Sequence, residues 1–184
     1  AAQGLYDPAN ERDACGVGFV CDIKNRKSHR IVRQGLEILE RLTHRGAVGA
    51  DPKAGDGAGI LVQIPDEFFR AKVDFALPAA GHYGVGMVFL PQDPNAREDM
   101  QETVQRHLEE GGQTVLGWRD VPVDNSDLGE SVLPTEPVVR QVFVACGDNC
   151  PDQDALERKL FVIRKRMDNE IRAAGYDKTA YYVA

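Results

Sequence analysis

The feature that most constrains the fold is a short apolar run, Cys15-Gly16-Val17-Gly18-Phe19-Val20, in which a thiol comes first and glycines alternate with larger residues. This period of two predicts a β-strand that extends to Ile23, with Val17 and Phe19 on one face. Glycine weakens a strand, so the two glycines indicate that another group approaches the backbone closely. Cys15 is either a nucleophile or a small buried apolar residue, since free cysteines are often buried.

The composition is that of a single globular domain and narrows the class of partner. The chain has 184 residues, of which 42% are apolar and 28% charged, and its formal net charge is −7. An acidic chain without a basic stripe is not expected to bind nucleic acid or an anionic membrane, and no apolar run is long enough to span a bilayer. We therefore expect a cytoplasmic protein, or a plastid protein whose transit peptide is absent.

The cysteines and histidines do not predict a metal site. Four cysteines are too few for a disulfide framework in a chain of this size. Cys146 and Cys150 form a C-x3-C pair, which differs from the C-x2-C of most zinc and redox sites. A metal ion would need two more ligands, and the histidines are scattered along the sequence.

The remaining periodicity predicts an α+β fold. Helices are predicted from Ser28 to about Thr43, as a turn at 65–69, from Asp93 to Gly111, and after Pro151. Strands are predicted at 60–64, 83–90, 114–118, 138–146 and 180–184. Residues 120–137 are acidic and contain prolines, which is typical of a long surface loop. Because the strands and helices do not alternate strictly, a layered α+β domain is favoured over a doubly wound sheet.

Two conspicuous motifs follow the first helix, a His44-Arg45-Gly46 segment and a run of alternating glycines, Gly55-Asp56-Gly57-Ala58-Gly59. The glycine run lacks the Walker lysine and the Rossmann spacing, and a strand follows it where a phosphate loop requires a helix. A nucleotide site is therefore disfavoured. The run is better interpreted as the start of a strand where another backbone or a small ligand packs closely.

Taken together, three segments closely resemble the start of the glutamate synthase family, which is a class II glutamine amidotransferase domain: residues 15–19, 42–47 and 50–60. The match covers nearly all of the chain. It implies an N-terminal-nucleophile hydrolase fold, an αββα sandwich in which two antiparallel sheets stack between helical layers, incomplete at the C-terminus. It also implies a propeptide at residues 1–14 and the amidotransferase domain at residues 15–184.

The resemblance implies that Cys15 is the catalytic nucleophile and that cleavage of the Ala14–Cys15 bond makes it the first residue. A thiol with a pKa of about 8.5 is little ionised at neutral pH. The α-amino group freed by cleavage, with a pKa of about 7.7–8, would serve as its base. The thiolate would attack the carboxamide carbon of L-glutamine, ammonia would leave, and water would hydrolyse the γ-glutamyl thioester.

The same resemblance assigns supporting roles around the nucleophile. Arg45 and Gly46 match the motif that the family keeps beside the cysteine, where Arg45 would hold a carbonyl by a forked hydrogen bond. The alternative for Arg45 is an ordinary surface ion pair. Asp56 and Gly57 would shape the wall of the site, and His44 is expected to be structural rather than a general base.

One departure from the family concerns the oxyanion hole. Asn149 is followed by Cys150 and does not supply the family's Asn-Gly pair, so we expect the 184 residues alone to be inactive as a glutaminase. FMN and an iron–sulfur cluster are implied for later domains of the parent enzyme, and no cofactor for these residues. The implied partners are those remaining domains, together with a small subunit or ferredoxin. In that enzyme the ammonia would serve reductive amination of 2-oxoglutarate.

Two alternatives stay open. One is another class II amidotransferase, such as an amidophosphoribosyltransferase, although the glycine run directly after His44-Arg45-Gly46 argues against it. The other is a non-catalytic binding or docking module that has the fold but not the activity.

Overall fold

The computed structural model describes residues 16–46, 51–55, 57–148, 150–175 and 181–184. The chain divides into two compact units, Ala1–Val62 and Gln63–Ala184, and each is described by itself. Within the described ranges, every helix is too short or too polar to cross a membrane.

The first unit contains one α-helix among its described residues, α1, at His29–Arg41. Ser28 has extended backbone and accepts a hydrogen bond from Arg30 N at 3.2 Å, so it caps the helix as predicted. Glu37 and Arg41 form the expected i,i+4 ion pair at 2.7 Å. A 3-10 turn, Thr43–Arg45, continues the chain beyond the helix.

Apolar residues recur at intervals of three and four along α1 and just beyond its end, which predicts one buried stripe, but this stripe is only half-buried. Val32, Leu39 and Leu42 are partly covered, whereas Leu36 is 45% exposed. No residue of α1 is fully buried. The 3.6-residue period fixes which side chains share a face, but the depth of burial depends on what packs against that face.

Both strands predicted in and around the first unit are wrong for the residues described. Residues 16–22 and 57–64 have no regular secondary structure. A strand exists only where its backbone groups pair with a neighbouring strand, and neither segment makes such a ladder within the described ranges. The side chains of Val17 and Phe19 are accordingly 90% and 88% exposed. Cys15, the first residue of the predicted strand, lies outside the described residues.

The second unit is built on a four-stranded antiparallel sheet in the order β2-β3-β1-β4. The strands are β1 at Tyr83–Leu90, β2 at Thr114–Asp120, β3 at Val138–Ala145 and β4 at Tyr182–Val183. The central pair is in register over its whole length, from Tyr83 opposite Ala145 to Leu90 opposite Val138. These strands confirm the predictions from apolar alternation, with small shifts at their ends.

Three helices accompany this sheet: α2 at Asp66–Lys72, α3 at Pro94–Glu110 and α4 at Gln153–Ala173. Asp93 and Asp152 cap α3 and α4 by accepting backbone hydrogen bonds at 2.8 Å. The loop predicted at 120–137 begins one residue later, because Asp120 ends β2, and residues 121–137 are irregular except for a 3-10 turn, Leu133–Thr135. Each helix therefore begins where the sequence supplies a capping carboxylate or an N-terminal proline.

The main hydrophobic core of the second unit lies where α3 and α4 meet the sheet. Its buried members come from all of these elements: Val88, Leu90, Met100, Val104, Leu108, Val142, Val144, Ile163, Met167, Ile171, Tyr181 and Val183. A smaller aromatic cluster gathers Phe69, Tyr83 and Phe143, and the rings of Phe69 and Phe143 meet edge to face at 5.0 Å.

The mixed α and β content with an antiparallel sheet confirms the predicted class. The second sheet of the αββα sandwich stays a prediction, because the described residues contain one sheet.

Candidate active site

The structure describes only part of the predicted site. Arg45, Gly46 and Gly57 lie in the first unit. Cys15, Asp56 and the Ala14 side of the predicted cleavage bond lie outside the described residues. The described parts of the site are the segment that follows Cys15 and the turn at the end of α1.

The end of α1 positions Arg45 through consecutive tight turns. Leu42 O accepts a hydrogen bond from Arg45 N at 2.8 Å, and Thr43 O accepts one from Gly46 N at 3.1 Å. The Thr43 hydroxyl donates to Glu40 O at 2.5 Å, which ties the turn back to the helix. The His-Arg-Gly motif is thus a rigid extension of α1 rather than a free loop.

The glycines after Cys15 lie against this helix and the residues that directly follow it. A Cβ atom placed on Gly16 would be 3.0 Å from Leu42 Cδ2 and 3.3 Å from Arg45 Cβ. One placed on Gly18 would be 2.8 Å from Ile38 Cγ2. A side chain at either glycine would require its neighbour to shift, which confirms the expectation that another group approaches the backbone closely here. Gly18 lies against α1 and Gly16 against the residues that directly follow α1, a partner that the sequence did not specify.

This packing brings the residue next to Cys15 against the residue that the resemblance places beside the nucleophile. Gly16 follows Cys15 directly in the sequence and contacts the side-chain base of Arg45. The start of the Arg45 side chain therefore lies beside Gly16. Sequence reasoning missed Ile38 and Leu42 as the supports of this contact, although their apolar period on α1 was a usable signal.

The arginines near the motif differ in whether they form ion pairs. Arg41 pairs with Glu37, and Arg26 pairs with Asp22 at 2.9 Å. The hydrogen bond from Arg26 holds the pKa of the Asp22 carboxyl below its usual range. The structure gives Arg45 no ion pair within the described part of the chain, and its side chain is exposed.

His44 makes a local contact with the helix end. Its Nδ1 lies 3.0 Å from Arg41 O, so the tautomer with a proton on Nδ1 donates to that carbonyl. A ring held against the backbone in this way fits the structural role expected for His44.

The glycine run at 55–59 behaves differently from the first glycine pair. A Cβ atom on Gly57 or Gly59 would meet no described atom within 4 Å. The packing of another backbone or a small ligand against these two glycines therefore stays a prediction. The segment reaches α1 one residue later, where Ile60 Cγ2 lies 3.9 Å from a Cβ built on Gly35. Alternating glycines alone do not distinguish a close contact from open space.

The family model described as glutamine amidotransferases class-II matches residues 15–184. Among curated proteins, the chain is 47% identical over 169 residues to the glutamate synthase [NADPH] large chain of Bacillus subtilis. It is 40% identical over 178 residues to glutamate synthase [NADH] of Schizosaccharomyces pombe. It is also 37% identical over 181 residues to ferredoxin-dependent glutamate synthase 2, chloroplastic, of Arabidopsis thaliana.

These matches cover 91%, 92% and 97% of the chain but only 11%, 8% and 11% of the three relatives. The chain thus spans about a tenth of the length of the curated relatives that it matches. Since the family model covers nearly the whole sequence, from the cysteine onward, the chain belongs to the class II glutamine amidotransferases.

Proposed function

We propose that this chain is the glutamine-hydrolysing domain of a glutamate synthase, with Cys15 as its nucleophile. The observation that carries the proposal is that the family match begins at residue 15, which is the cysteine itself. A match that begins at this cysteine supports a mature domain whose first residue is Cys15, with residues 1–14 as a propeptide. The similarity to three glutamate synthases that are named for different reductants supports the assignment to that enzyme class.

The chemistry follows from an N-terminal cysteine. After cleavage of the Ala14–Cys15 bond, the free α-amino group accepts the thiol proton, directly or through water. The thiolate adds to the carboxamide carbon of L-glutamine, and the tetrahedral intermediate releases ammonia after protonation of the leaving nitrogen. Water then attacks the γ-glutamyl thioester, which yields glutamate and restores the thiol. Before cleavage the same nitrogen is an amide and cannot act as a base.

Arg45 is proposed to position the nucleophile. Its planar guanidinium can donate two parallel hydrogen bonds to carbonyl oxygens or to a carboxylate. The proximity of Gly16 to Arg45 Cβ supports this role, because Gly16 is the residue that follows Cys15 in the sequence. Gly46 holds the turn that carries Arg45, and Asp56 with Gly57 is proposed to shape the adjacent wall.

The ammonia would be used elsewhere in the parent enzyme, for reductive amination of 2-oxoglutarate. Within the described residues, no three His, Cys, Asp or Glu side chains form a group that could hold a metal ion. The iron–sulfur cluster and FMN, which the family resemblance implies for the parent enzyme, are proposed to lie in its other domains. Those domains, and a small subunit or ferredoxin, are the proposed partners. An αββα sandwich is proposed as the fold of the complete domain.

The test is covalent labelling of the parent enzyme with 6-diazo-5-oxo-norleucine, an electrophile shaped like glutamine. We expect one label per active site, located on Cys15 by peptide mass spectrometry and prevented by excess L-glutamine. Cys15→Ala should abolish both labelling and ammonia release, whereas the matched variant Cys21→Ala should preserve both.

Persistent glutaminase activity in Cys15→Ala, or labelling shared equally with Cys21, would contradict the assignment. A correctly folded parent enzyme that neither takes the label nor releases ammonia would support the non-catalytic module instead.

A further inference from the structure

The loop between β3 and α4 brings two thiols together outside the proposed site. Cys146 Sγ donates a hydrogen bond to Cys150 O at 3.0 Å. Cys150 N in turn donates to Gly147 O at 3.0 Å, which closes a tight turn. Both cysteines are free and half-buried. Asn149 lies outside the described residues, so the inference depends on the two cysteines and their anchors alone.

The Cys146 thiol also interacts with the Cys150 side chain. Cys150 Sγ is joined through only Cα and Cβ to the carbonyl that Cys146 Sγ touches. Burial, followed by a hydrogen bond with the Cys150 side chain, raises the pKa of the Cys146 thiol to about 11. Cys146 therefore keeps its proton at neutral pH and reacts slowly there.

Both ends of the loop are anchored, so the thiols are presented at a fixed spacing. On the β3 side, Cys146 N donates to His82 O at 3.1 Å, and Gly147 N donates to Gln113 Oε1 at 3.2 Å. Gln113 is itself buried, with 3% of its surface exposed. On the other side, Asp152 caps α4 only two residues after Cys150. Neither cysteine can move far from the other without breaking these contacts.

We propose that Cys146 and Cys150 are a reversible modification site, at which a disulfide-class oxidant such as oxidised glutathione forms an intramolecular disulfide. The thiolate of one cysteine attacks a sulfur of the oxidant, forms a mixed disulfide and expels one thiolate. The second cysteine, after losing its proton, attacks the mixed disulfide and expels the second thiolate. The oxidant is reduced to two thiols, and the two cysteines lose two hydrogen atoms.

The C-x3-C spacing gave no indication of this site, because the usual redox motif has two intervening residues. The tertiary structure supplies what the spacing lacks, namely a turn that folds the second cysteine back onto the first. The bridge would close the loop between β3 and α4, so it should raise the midpoint of thermal unfolding modestly. Its formation should accelerate with pH, because only thiolates react.

The experiment treats the reduced 184-residue chain with oxidised glutathione, blocks the remaining thiols with N-ethylmaleimide, and maps the products by peptide mass spectrometry. We expect a loss of two hydrogen atoms shared by Cys146 and Cys150, reversed by dithiothreitol. Cys21, which is exposed, should instead carry maleimide or glutathione. Phenylarsine oxide, a probe for paired thiols, should bind once across Cys146 and Cys150.

Variants make the test decisive. Cys146→Ser should leave glutathione on Cys150, Cys150→Ser should leave a Cys146 that takes up glutathione only slowly, and Cys21→Ser should still form the bridge. Separate glutathione molecules on Cys146 and Cys150 in the unsubstituted chain would overturn the proposal. An equal yield of bridges that involve Cys21 would overturn it as well.

Discussion

At the scale of single residues, Tyr83 shows how burial sets a pH limit on stability. Its hydroxyl donates to Asp66 Oδ1 at 2.8 Å, and Arg70 Nε contacts the same carboxylate at 2.9 Å. Burial first, and this hydrogen bond second, raise the pKa of Tyr83 to about 12. The protonated phenol is therefore the form that the fold favours.

Tyr83 therefore stabilises the folded state at low and neutral pH and loses this contribution at high pH. The folded pKa exceeds the unfolded value of about 10, so the contribution is complete below pH 10 and is lost as pH rises through about 12. Tyr83→Phe should lower the free energy of unfolding by about 1 kcal/mol at neutral pH. In this variant the free energy of unfolding should also decrease less as the pH rises. Urea unfolding between pH 7 and 12 would measure both effects.

Two further tyrosines serve this test. Burial also raises the pKa of Tyr181, so part of the alkaline decline should remain in Tyr83→Phe. Tyr182 is 56% exposed, and Tyr182→Phe is the matched control. An unchanged pH profile in Tyr83→Phe would show that the phenol is not linked to folding.

Arg45 is the residue whose chemistry decides whether the proposed site works. Arg45→Lys retains the charge but removes the planar pair of donors. Because a hydrogen bond to a charged group contributes about 1.5–3 kcal/mol, kcat/KM for glutamine hydrolysis in the parent enzyme should fall roughly tenfold or more. Arg33 is also exposed, so Arg33→Lys is the matched control, and its kcat/KM should be unchanged. Equal kinetics in both variants would return Arg45 to the role of an ordinary surface cation.

At the scale of elements, the contact between the segment after Cys15 and α1 requires glycine. Gly18→Ala would set its Cβ 2.8 Å from Ile38 Cγ2, so the segment must move away from the helix. We expect glutaminase activity of the parent enzyme to fall, because displacement of the segment also displaces the backbone that follows Cys15. Gly59→Ala, where the described atoms leave open space, is the matched control and should be nearly neutral.

A second substitution distinguishes this contact from a general effect of alanine. Ile38→Ala removes the clashing methyl group, so the double variant should recover part of the activity lost in Gly18→Ala. Strictly additive losses would argue that Gly18 and Ile38 do not interact.

Helix α3 owes its start to a cap rather than to its interior sequence. Asp93 Oδ2 accepts a hydrogen bond from Ala96 N at 2.8 Å, and Pro94 occupies the first turn. Asp93→Ala should cost about 1 kcal/mol, within the usual range of about 0.5–2 for a lost cap. Asp93→Asn keeps an accepting oxygen and should lose much less. Thermal unfolding of the unsubstituted chain and the two variants measures these losses of stability. Equal losses in Asp93→Ala and Asp93→Asn would exclude the cap as the cause.

At the scale of the whole molecule, removal of residues 1–14 is expected to depend on residues outside this sequence. Propeptide removal would have the Cys15 thiol attack the Ala14 carbonyl, a step that needs an oxyanion donor, and the 184 residues contain no Asn-Gly pair. We expect the isolated chain to retain residues 1–14 and to hydrolyse glutamine at least about a hundredfold more slowly than the parent enzyme. Intact mass and ammonia release measure the two. A species that begins at Cys15, or activity equal to the parent's, would contradict this prediction.

Much of the second unit could be predicted from sequence because its signals are local. The caps Asp93 and Asp152, Gly111 after α3, and the apolar alternation at 83–90 each act over a few residues. Period and capping therefore located β1, α3 and α4 without knowledge of what they pack against. The same holds for α1, whose cap at Ser28 is also local.

The sequence by itself also determined the family, because three motifs that include Cys15, Arg45 and Gly57 occur jointly, and the family match agrees. Tertiary structure alone decided which element each motif contacts. The alternation at 16–20 predicted a strand, yet Gly18 lies against α1 and Gly16 against the residues that directly follow it. Likewise, only the fold brings Cys146 Sγ to Cys150 O. The physical reason is that strand pairing, close backbone contacts and paired thiols each need a partner that a local pattern does not specify.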